Sequence, residues 1–357
     1  MKRAYNFNAG PSAMPLEVLE EAQQEFTDYN NTGMSIIEMS HRSKEYAKLH
    51  QETKDLLREL MEIPDNYEIL FIQGGGSTQF LMTAANFCNN KRAAYVNTGV
   101  WAKKAMAEVK FFGEAYEAAS SADRNHSYIP EEFTIEENTA YVHLTSNNTI
   151  YGTEYQKFPK FDVPVICDMS SDILSRKVNV ADFDLIYAGA QKNLGPAGVV
   201  IVIIKKEFLA AANQQLPTML KYQTFADNDS LYNTPPVFCI YMVNKTLHWI
   251  KRQGGVEQVA ANNARKAQVI YDAIDNSNGF YIGHAEKAYR SKMNITFNLA
   301  DKELEKDFVE KAKAAGFIGV GGHRLVGGCR ASAYNAVPFE ACTALVEFMK
   351  EYQKQHQ

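Results

Sequence analysis

Cysteine is scarce in this chain of 357 residues: Cys88, Cys167, Cys239, Cys329 and Cys342 make an odd set with no C-x-x-C pair. That excludes a disulfide framework and fits reduced thiols in a cytoplasmic protein. Long hydrophobic runs are missing too. The longest, Val199 to Ile204, is far too short to cross a bilayer and reads as a buried strand, so no membrane partner is expected. The N-terminus, Met1 to Pro11, is positively charged but lacks the apolar core of a secretion signal. Excess positive charge is also absent. A net charge of -5 and a pI near 6.0 argue against a general nucleic-acid surface, while local clusters of cations remain able to bind small anions. There are no repeats or low-complexity tracts.

What the chain does contain is core material, 46% hydrophobic and 11% aromatic, at a length that points to about two domains. Helical spacing covers Leu16 to Tyr29, Glu45 to Met61 and Thr78 to Asn86; Glu68 to Ile72 reads as a strand before the turn Gly74-Gly75-Gly76-Ser77. The alternation continues with strands at Arg92 to Val96, Ala140 to Leu144, Val163 to Cys167, Leu185 to Ala188 and Gly198 to Ile204, and a helix over Trp101 to Phe112. Short apolar strands interleaved with helices predict an α/β fold. Its sheet is mostly parallel and covered on both faces, with ligands at the carboxyl ends of the strands. Further helices at Lys245 to Gly254, up to about Ile274, at Glu303 to Ala315 and at Pro338 to Gln353 surround strands near Ser291 to Leu299. The expected division is a large domain over 16–255 and a small α+β domain formed by 1–15 plus 256–357.

Lys192 lies between the apolar run Phe183 to Tyr187 and the turn Asn193-Leu194-Gly195-Pro196-Ala197-Gly198. The small residues around it, Ala188-Gly189-Ala190, leave room for a planar molecule, and an enclosed amine has its pKa lowered toward neutrality. Schiff-base chemistry with pyridoxal phosphate requires this. A lone lysine after a strand is usually a surface residue, so its partners decide. Asp168 ends a predicted strand, where a carboxylate can pair with a protonated pyridinium nitrogen or cap a helix starting at Asp168-Met169-Ser170-Ser171. The Gly74 to Thr78 turn joins a strand to a helix and can hold a phosphate, although it matches neither G-x-x-x-x-G-K-[ST] nor G-x-G-x-x-G. Trp101, one of two tryptophans, can stack on a flat ring or fill a core. His41-Arg42, His323-Arg324 and Arg330 offer paired hydrogen bonds to anions, which suits a substrate carrying two of them.

The order of glycine turn, tryptophan, threonine, aspartate and lysine resembles the phosphoserine aminotransferases, class V pyridoxal-phosphate enzymes of the aspartate aminotransferase fold. The likeness runs nearly end to end, through Phe7-Asn8-Ala9-Gly10-Pro11-Ser12-Ala13-Met14-Pro15, Ser40-His41-Arg42-Ser43, Gly189-Ala190-Gln191-Lys192-Asn193 and Gly322-His323-Arg324-Leu325-Val326-Gly327-Gly328-Cys329-Arg330-Ala331-Ser332. The resemblance implies that Lys192 holds pyridoxal 5'-phosphate covalently, Asp168 pairs with its ring nitrogen, Trp101 stacks on it and Thr149 contacts it near the phenolic oxygen. It also gives Gly76, Ser77 and Gln191 to the cofactor phosphate, with Asn233 and Thr234 supplied by a second subunit of a homodimer. Some relatives carry a bulkier basic residue where this chain has Ser77. Arg330 is expected on the α-carboxylate and His41, Arg42, His323 and Arg324 on the substrate phosphate or the glutamate side chain. The implied reaction links L-glutamate and 3-phosphooxypyruvate to O-phospho-L-serine and 2-oxoglutarate, and a four-carbon phosphorylated substrate on the vitamin B6 route is implied as well. No metal is expected. Two other readings compete. One is another enzyme of the same fold, either an aminotransferase for non-phosphorylated substrates or a cysteine desulfurase, which needs a mobile catalytic cysteine that none of the five suggests; the other, a non-catalytic pyridoxal-phosphate carrier or regulator, finds no additional binding segment.

Overall fold

The computed structural model describes residues 3–356, so positions 1–2 and 357 of the expected small domain lie outside the described residues. In chain order the strands are β1 (Tyr5–Asn6), β2 (Tyr67–Gly74), β3 (Arg92–Asn97), β4 (Glu114–Ser120), β5 (Thr139–Thr145), β6 (Val165–Asp168), β7 (Leu185–Gly189), β8 (Gly198–Lys205), β9 (Tyr281–Gly283), β10 (Asn294–Leu299), β11 (Phe317–Ile318) and β12 (Cys329–Ser332). The helices are α1 (Leu16–Glu25), α2 (Lys44–Met61), α3 (Gly76–Phe87), α4 (Val100–Glu108), α5 (Lys206–Ala210), α6 (Tyr222–Asp227), α7 (Val237–Arg252), α8 (Gly255–Asp275), α9 (Glu303–Ala314) and α10 (Phe339–Gln355).

A seven-stranded sheet in the order β2-β8-β7-β6-β5-β3-β4 forms the centre. β8 runs antiparallel to both neighbours, and the remaining pairs are parallel. The sequence of β8 explains its place. Val199, Ile201 and Ile203 enter the core on one face while Val200, Val202 and Ile204 enter the core on the other, all fully buried. Each such side chain contributes about 1.5–3 kcal/mol on burial, so an unbroken apolar run belongs in a strand covered on both faces. Along the sheet, the chain steps outward from β3 to β4, whereas β5, β6 and β7 are added in the opposite direction. A change of direction of this kind opens a crevice beyond the carboxyl ends of the strands, here between β3 and β5.

A three-stranded antiparallel sheet, β12-β10-β9, and the parallel pair β1-β11 build a second body with its own core. Phe7 from the N-terminal segment packs in that core with Ile270, Phe297, Phe308 and Leu345. Among the described residues no helix is long and apolar enough to cross a membrane.

Several elements differ from the sequence expectation: the short strands β1, β9, β11 and β12 and the short helices α5 and α6 have no predicted counterpart, and α1 stops at Glu25, before the expected Tyr29. β4 has no predicted counterpart, because Glu-Ala-Tyr-Glu-Ala-Ala-Ser lacks an apolar run; it is the outermost strand, where charge protects an open edge. The helix expected over Trp101 to Phe112 ends at Glu108 and tightens into a 3-10 turn over Val109–Phe111. The helix expected from Lys245 already starts at Val237, behind Pro236, its apolar first turns being buried.

Candidate active site

Five strand ends deliver the functional side chains to the crevice. After β3 the backbone passes through Gly99 at φ +148°, where an added Cβ would lie 2.8 Å from the Tyr151 ring. Only glycine fits this approach, and α4 then starts at Val100 and presents Trp101. After β5 the Asn148 amide donates to the Thr98 carbonyl, joining the two loops of the crevice and placing Thr149 next to it. Asp168 is the last residue of β6, and Lys192 follows the end of β7. At the end of β2, Gly74 (φ +113°) turns the chain into α3, which starts at Gly76 and Ser77. The first N–H groups of a helix have no intrahelical acceptor and attract anions.

These residues line one cavity of about 380 Å3. Lys192 Nζ donates to Thr149 Oγ1 at 2.8 Å and stands 6.0 Å from the centre of the Trp101 ring. Burial lowers the Lys192 amine to about 8; Asp168 opposes that shift and Arg330 adds to it. The side chain is half-buried, since it borders the open cavity while protein surrounds it elsewhere. Asp168 Oδ1 accepts from Ser170 N–H at 2.9 Å, so the capping role foreseen for it is real but closes a turn and not a helix. Burial raises the Asp168 carboxyl, with Ser170 and Lys192 pulling it back. A cation placed beside it stabilises its ionised form. Arg330, 8% exposed, donates from Nη1 to the Thr149 carbonyl at 3.0 Å, and no Asp or Glu among the described residues is paired with it. A buried guanidinium without a counter-charge is costly, and a ligand anion would offset that cost. His323 also lines the cavity, its pKa lowered by burial and by the neighbouring Arg330 and Arg324.

The cavity thus joins Gly76, Ser77, Trp101, Thr149, Asp168, Gln191, Lys192, His323 and Arg330. Arg324 is exposed, one residue beyond the lining. His41, Arg42, Asn233 and Thr234 lie outside the lining in their own chain. Asn233 Nδ2 donates to Gln73 Oε1 at 3.0 Å, and Gln73 Nε2 donates to the Thr234 carbonyl at 2.5 Å. The sequence reading did not foresee two serines. Ser170 Oγ accepts from Gly189 N–H at 3.1 Å, linking the ends of β6 and β7. Ser12 donates to the Lys192 carbonyl at 2.5 Å and folds the N-terminal segment over the lysine. The motif around Pro11 was visible, but nothing local connects it to a lysine 180 positions away.

The lining fits pyridoxal phosphate: an amine to bond the aldehyde, a carboxyl for the ring nitrogen, an indole face, and a helix N-terminus for the phosphate. Buried atoms left without a hydrogen-bond partner here, Trp101 Nε1, Thr145 Oγ1, Gln191 Oε1 and Arg330 Nε, are what a polar ligand satisfies. The sequence pattern of the family "Aminotransferase class-V" matches residues 4–345. The chain is 58% identical over 360 residues to the phosphoserine aminotransferase of Lysinibacillus sphaericus, covering 100% of this chain and 99% of that protein. Its fold superposes on the phosphoserine aminotransferase from Bacillus circulans subsp. alkalophilus with a TM-score of 0.98 at 54% identity, covering 100% of both chains. A pyridoxal-phosphate-bound phosphoserine aminotransferase from Trichomonas vaginalis matches with a TM-score of 0.93 at 39% identity, covering 98% of this chain and 100% of that one. With the lysine, its carboxylate and the arginine that no Asp or Glu pairs with in one crevice, the chain belongs to the class-V aminotransferases and, within them, to the phosphoserine aminotransferase family.

Proposed function

We propose that the protein transfers an amino group from L-glutamate to 3-phosphooxypyruvate in a ping-pong reaction, giving 2-oxoglutarate and O-phospho-L-serine for serine synthesis. The observation that carries this reading is the convergence of the Lys192 amine, the Asp168 carboxyl and the unpaired Arg330 guanidinium on one cavity. Pyridoxal phosphate supplies the electron sink when bound. Lys192 would hold it covalently, and the freed Lys192 amine would move the proton at the substrate α-carbon. Its lowered pKa suits both tasks. Asp168 would keep the ring nitrogen protonated, Trp101 would stack on the ring, Thr149 would contact it near the phenolic oxygen, and Gly76, Ser77 and Gln191 would hold the phosphate. Arg330 binds the α-carboxylate, which both substrates share. His323 and Arg324, with His41 and Arg42, take the distal anion.

The same reading makes the protein a homodimer. Asn233 and Thr234, like His41 and Arg42, lie away from the cavity of their own chain, so their roles require a neighbouring copy. Exposed Met34, Ile37 and Tyr232, in the segments that carry these residues, support an interface there. Residues 16–255 form the cofactor-binding unit and 1–15 with 256–357 the smaller unit that brings Arg330. Free cysteines favour a reducing compartment, the cytoplasm. A desulfurase role gains no support, since none of the five cysteines lines the cavity.

The test is to add L-glutamate to the purified holoenzyme and follow its absorbance, then add 3-phosphooxypyruvate. Conversion to the pyridoxamine spectrum followed by phosphoserine production is expected. A spectrum that L-glutamate leaves unchanged rules out the transaminase reading.

A further inference from the structure

We infer that Lys266, which lines no part of the Lys192 cavity, is a positioning residue: its buried ammonium clamps the turn 334–337, and that turn fixes the segment carrying Lys192 and the strand carrying Arg330. This rests on the roles given above to Lys192 and Arg330 and extends the site to a residue that touches neither substrate nor cofactor. Lys266 lies on α8 and is 2% exposed. Its Nζ donates to the carbonyls of Tyr334 at 2.7 Å, Asn335 at 3.4 Å and Val337 at 3.0 Å. An ammonium has three protons to donate, and all three go to this one turn. No carboxylate is paired with it among the described residues; Cys342, on α10, is its titratable neighbour, and burial lowers its amine to about 8. A buried cation is expensive, so a simple apolar stem at this position is the cheaper way to fill space.

Two paths run from the turn into the site. Asn335 N–H donates to Asn193 Oδ1 at 3.0 Å, and Asn193 directly follows Lys192. The Asn335 side chain donates to the Leu174 carbonyl at 3.0 Å, in the segment that follows Asp168. Asn263, three positions before Lys266 and so on the same face of α8, donates to Asn335 Oδ1 at 2.8 Å and to the Ser175 carbonyl at 3.0 Å. Asn193 completes the frame by donating to the Ile173 carbonyl at 3.2 Å. These amides are buried, so their bonds set distances between α8, the turn, Asn193 beside Lys192 and the segment Ile173 to Ser175; the turn itself starts two residues after β12, the strand of Arg330. At the near end of the turn, the Tyr334 hydroxyl donates to the Ala9 carbonyl at 2.8 Å, reaching the segment that covers Lys192. A second cavity of about 600 Å3, which shares no lining residue with the first, borders Asn263, Lys266 and Asn335.

The test compares holoenzymes of wild type and Lys266→Met, which keeps the stem and removes the ammonium. Three quantities are read: the pH midpoint of the cofactor absorbance without substrate, kcat and KM for L-glutamate, and the unfolding temperature. With the fold retained, the midpoint should move by about half a unit or more. kcat/KM should fall about 10- to 100-fold, the scale of a misplacement near 1 Å. In Lys266→Ala, ethylammonium entering through the second cavity should restore part of the loss. An unmoved midpoint with unchanged kinetics in folded Lys266→Met overturns the proposal. Asn193→Ala leaves the three carbonyl bonds in place but cuts the link to Lys192, so it carries the test alone where Lys266→Met does not fold; an unmoved midpoint there overturns it too. With both folded, the double variant should lose no more than the worse single one, and additive losses count against the proposal. Wild type that ignores L-glutamate defeats the transaminase reading only, because the midpoint is read without turnover.

Discussion

Thr149 stands between the two cations of the site, its hydroxyl accepting from Lys192 and its carbonyl from Arg330. Residue-scale consequences follow from that pairing. On the proposed roles of Lys192, Lys192→Ala removes both the covalent anchor and the proton carrier, so turnover should drop by at least about 10²–10⁴-fold with loss of the protein-linked cofactor absorbance. The Lys192 amine sits near 8, so it is protonated and unreactive in more acidic solution. Capture of pyridoxal phosphate by the apoprotein should therefore speed up about tenfold per pH unit on the acidic side and level off above about pH 8. A capture rate that keeps rising about tenfold per unit beyond pH 9, with no levelling, contradicts the lowered pKa. Arg330→Ala should weaken both L-glutamate and 3-phosphooxypyruvate by about 10- to 100-fold each, the range for a lost charged hydrogen bond. Selective loss of one substrate moves Arg330 to another role.

At the scale of elements, the crevice depends on loops that allow no side chain. Gly99→Ala sets a Cβ against Tyr151 at an unfavourable φ, so a cost of about 1–3 kcal/mol is expected, visible as a lower unfolding temperature. Because α4 starts there, Trp101 fluorescence should change in the same variant. An unaltered emission spectrum places the indole independently of that turn. The apolar strands and amphipathic helices were legible because their periodicity is local: β8 and α2 could be read within a residue or two. β4 was not, since an edge strand needs only a neighbour's backbone and its side chains stay exposed. Ser12 and the asparagine frame were invisible for another reason. Their partners are far away in the chain, and no spacing rule links Asn335 to Asn193.

For the whole molecule, the proposed division of the site between two copies gives a sharp experiment. Lys192→Ala and Arg42→Ala are each expected to be nearly inactive alone, yet a refolded mixture should regain about a quarter of wild-type activity, because half of the dimers carry one intact site. No recovery on mixing places Arg42 and Lys192 in the same chain's site. The sequence by itself determined the α/β class, the strand that delivers Lys192, the carboxylate at the end of β6 and the family, because these follow from local periodicity and from residue types at fixed positions. Only the tertiary structure decided that Thr149 joins Lys192 to Arg330, that the N-terminal segment closes over the lysine, and that His41, Arg42, Asn233 and Thr234 stand away from their own cavity. Those facts depend on how β12, α8 and the first residues dock against the large sheet, and docking is set by the summed burial of distant surfaces, which no short stretch of sequence encodes.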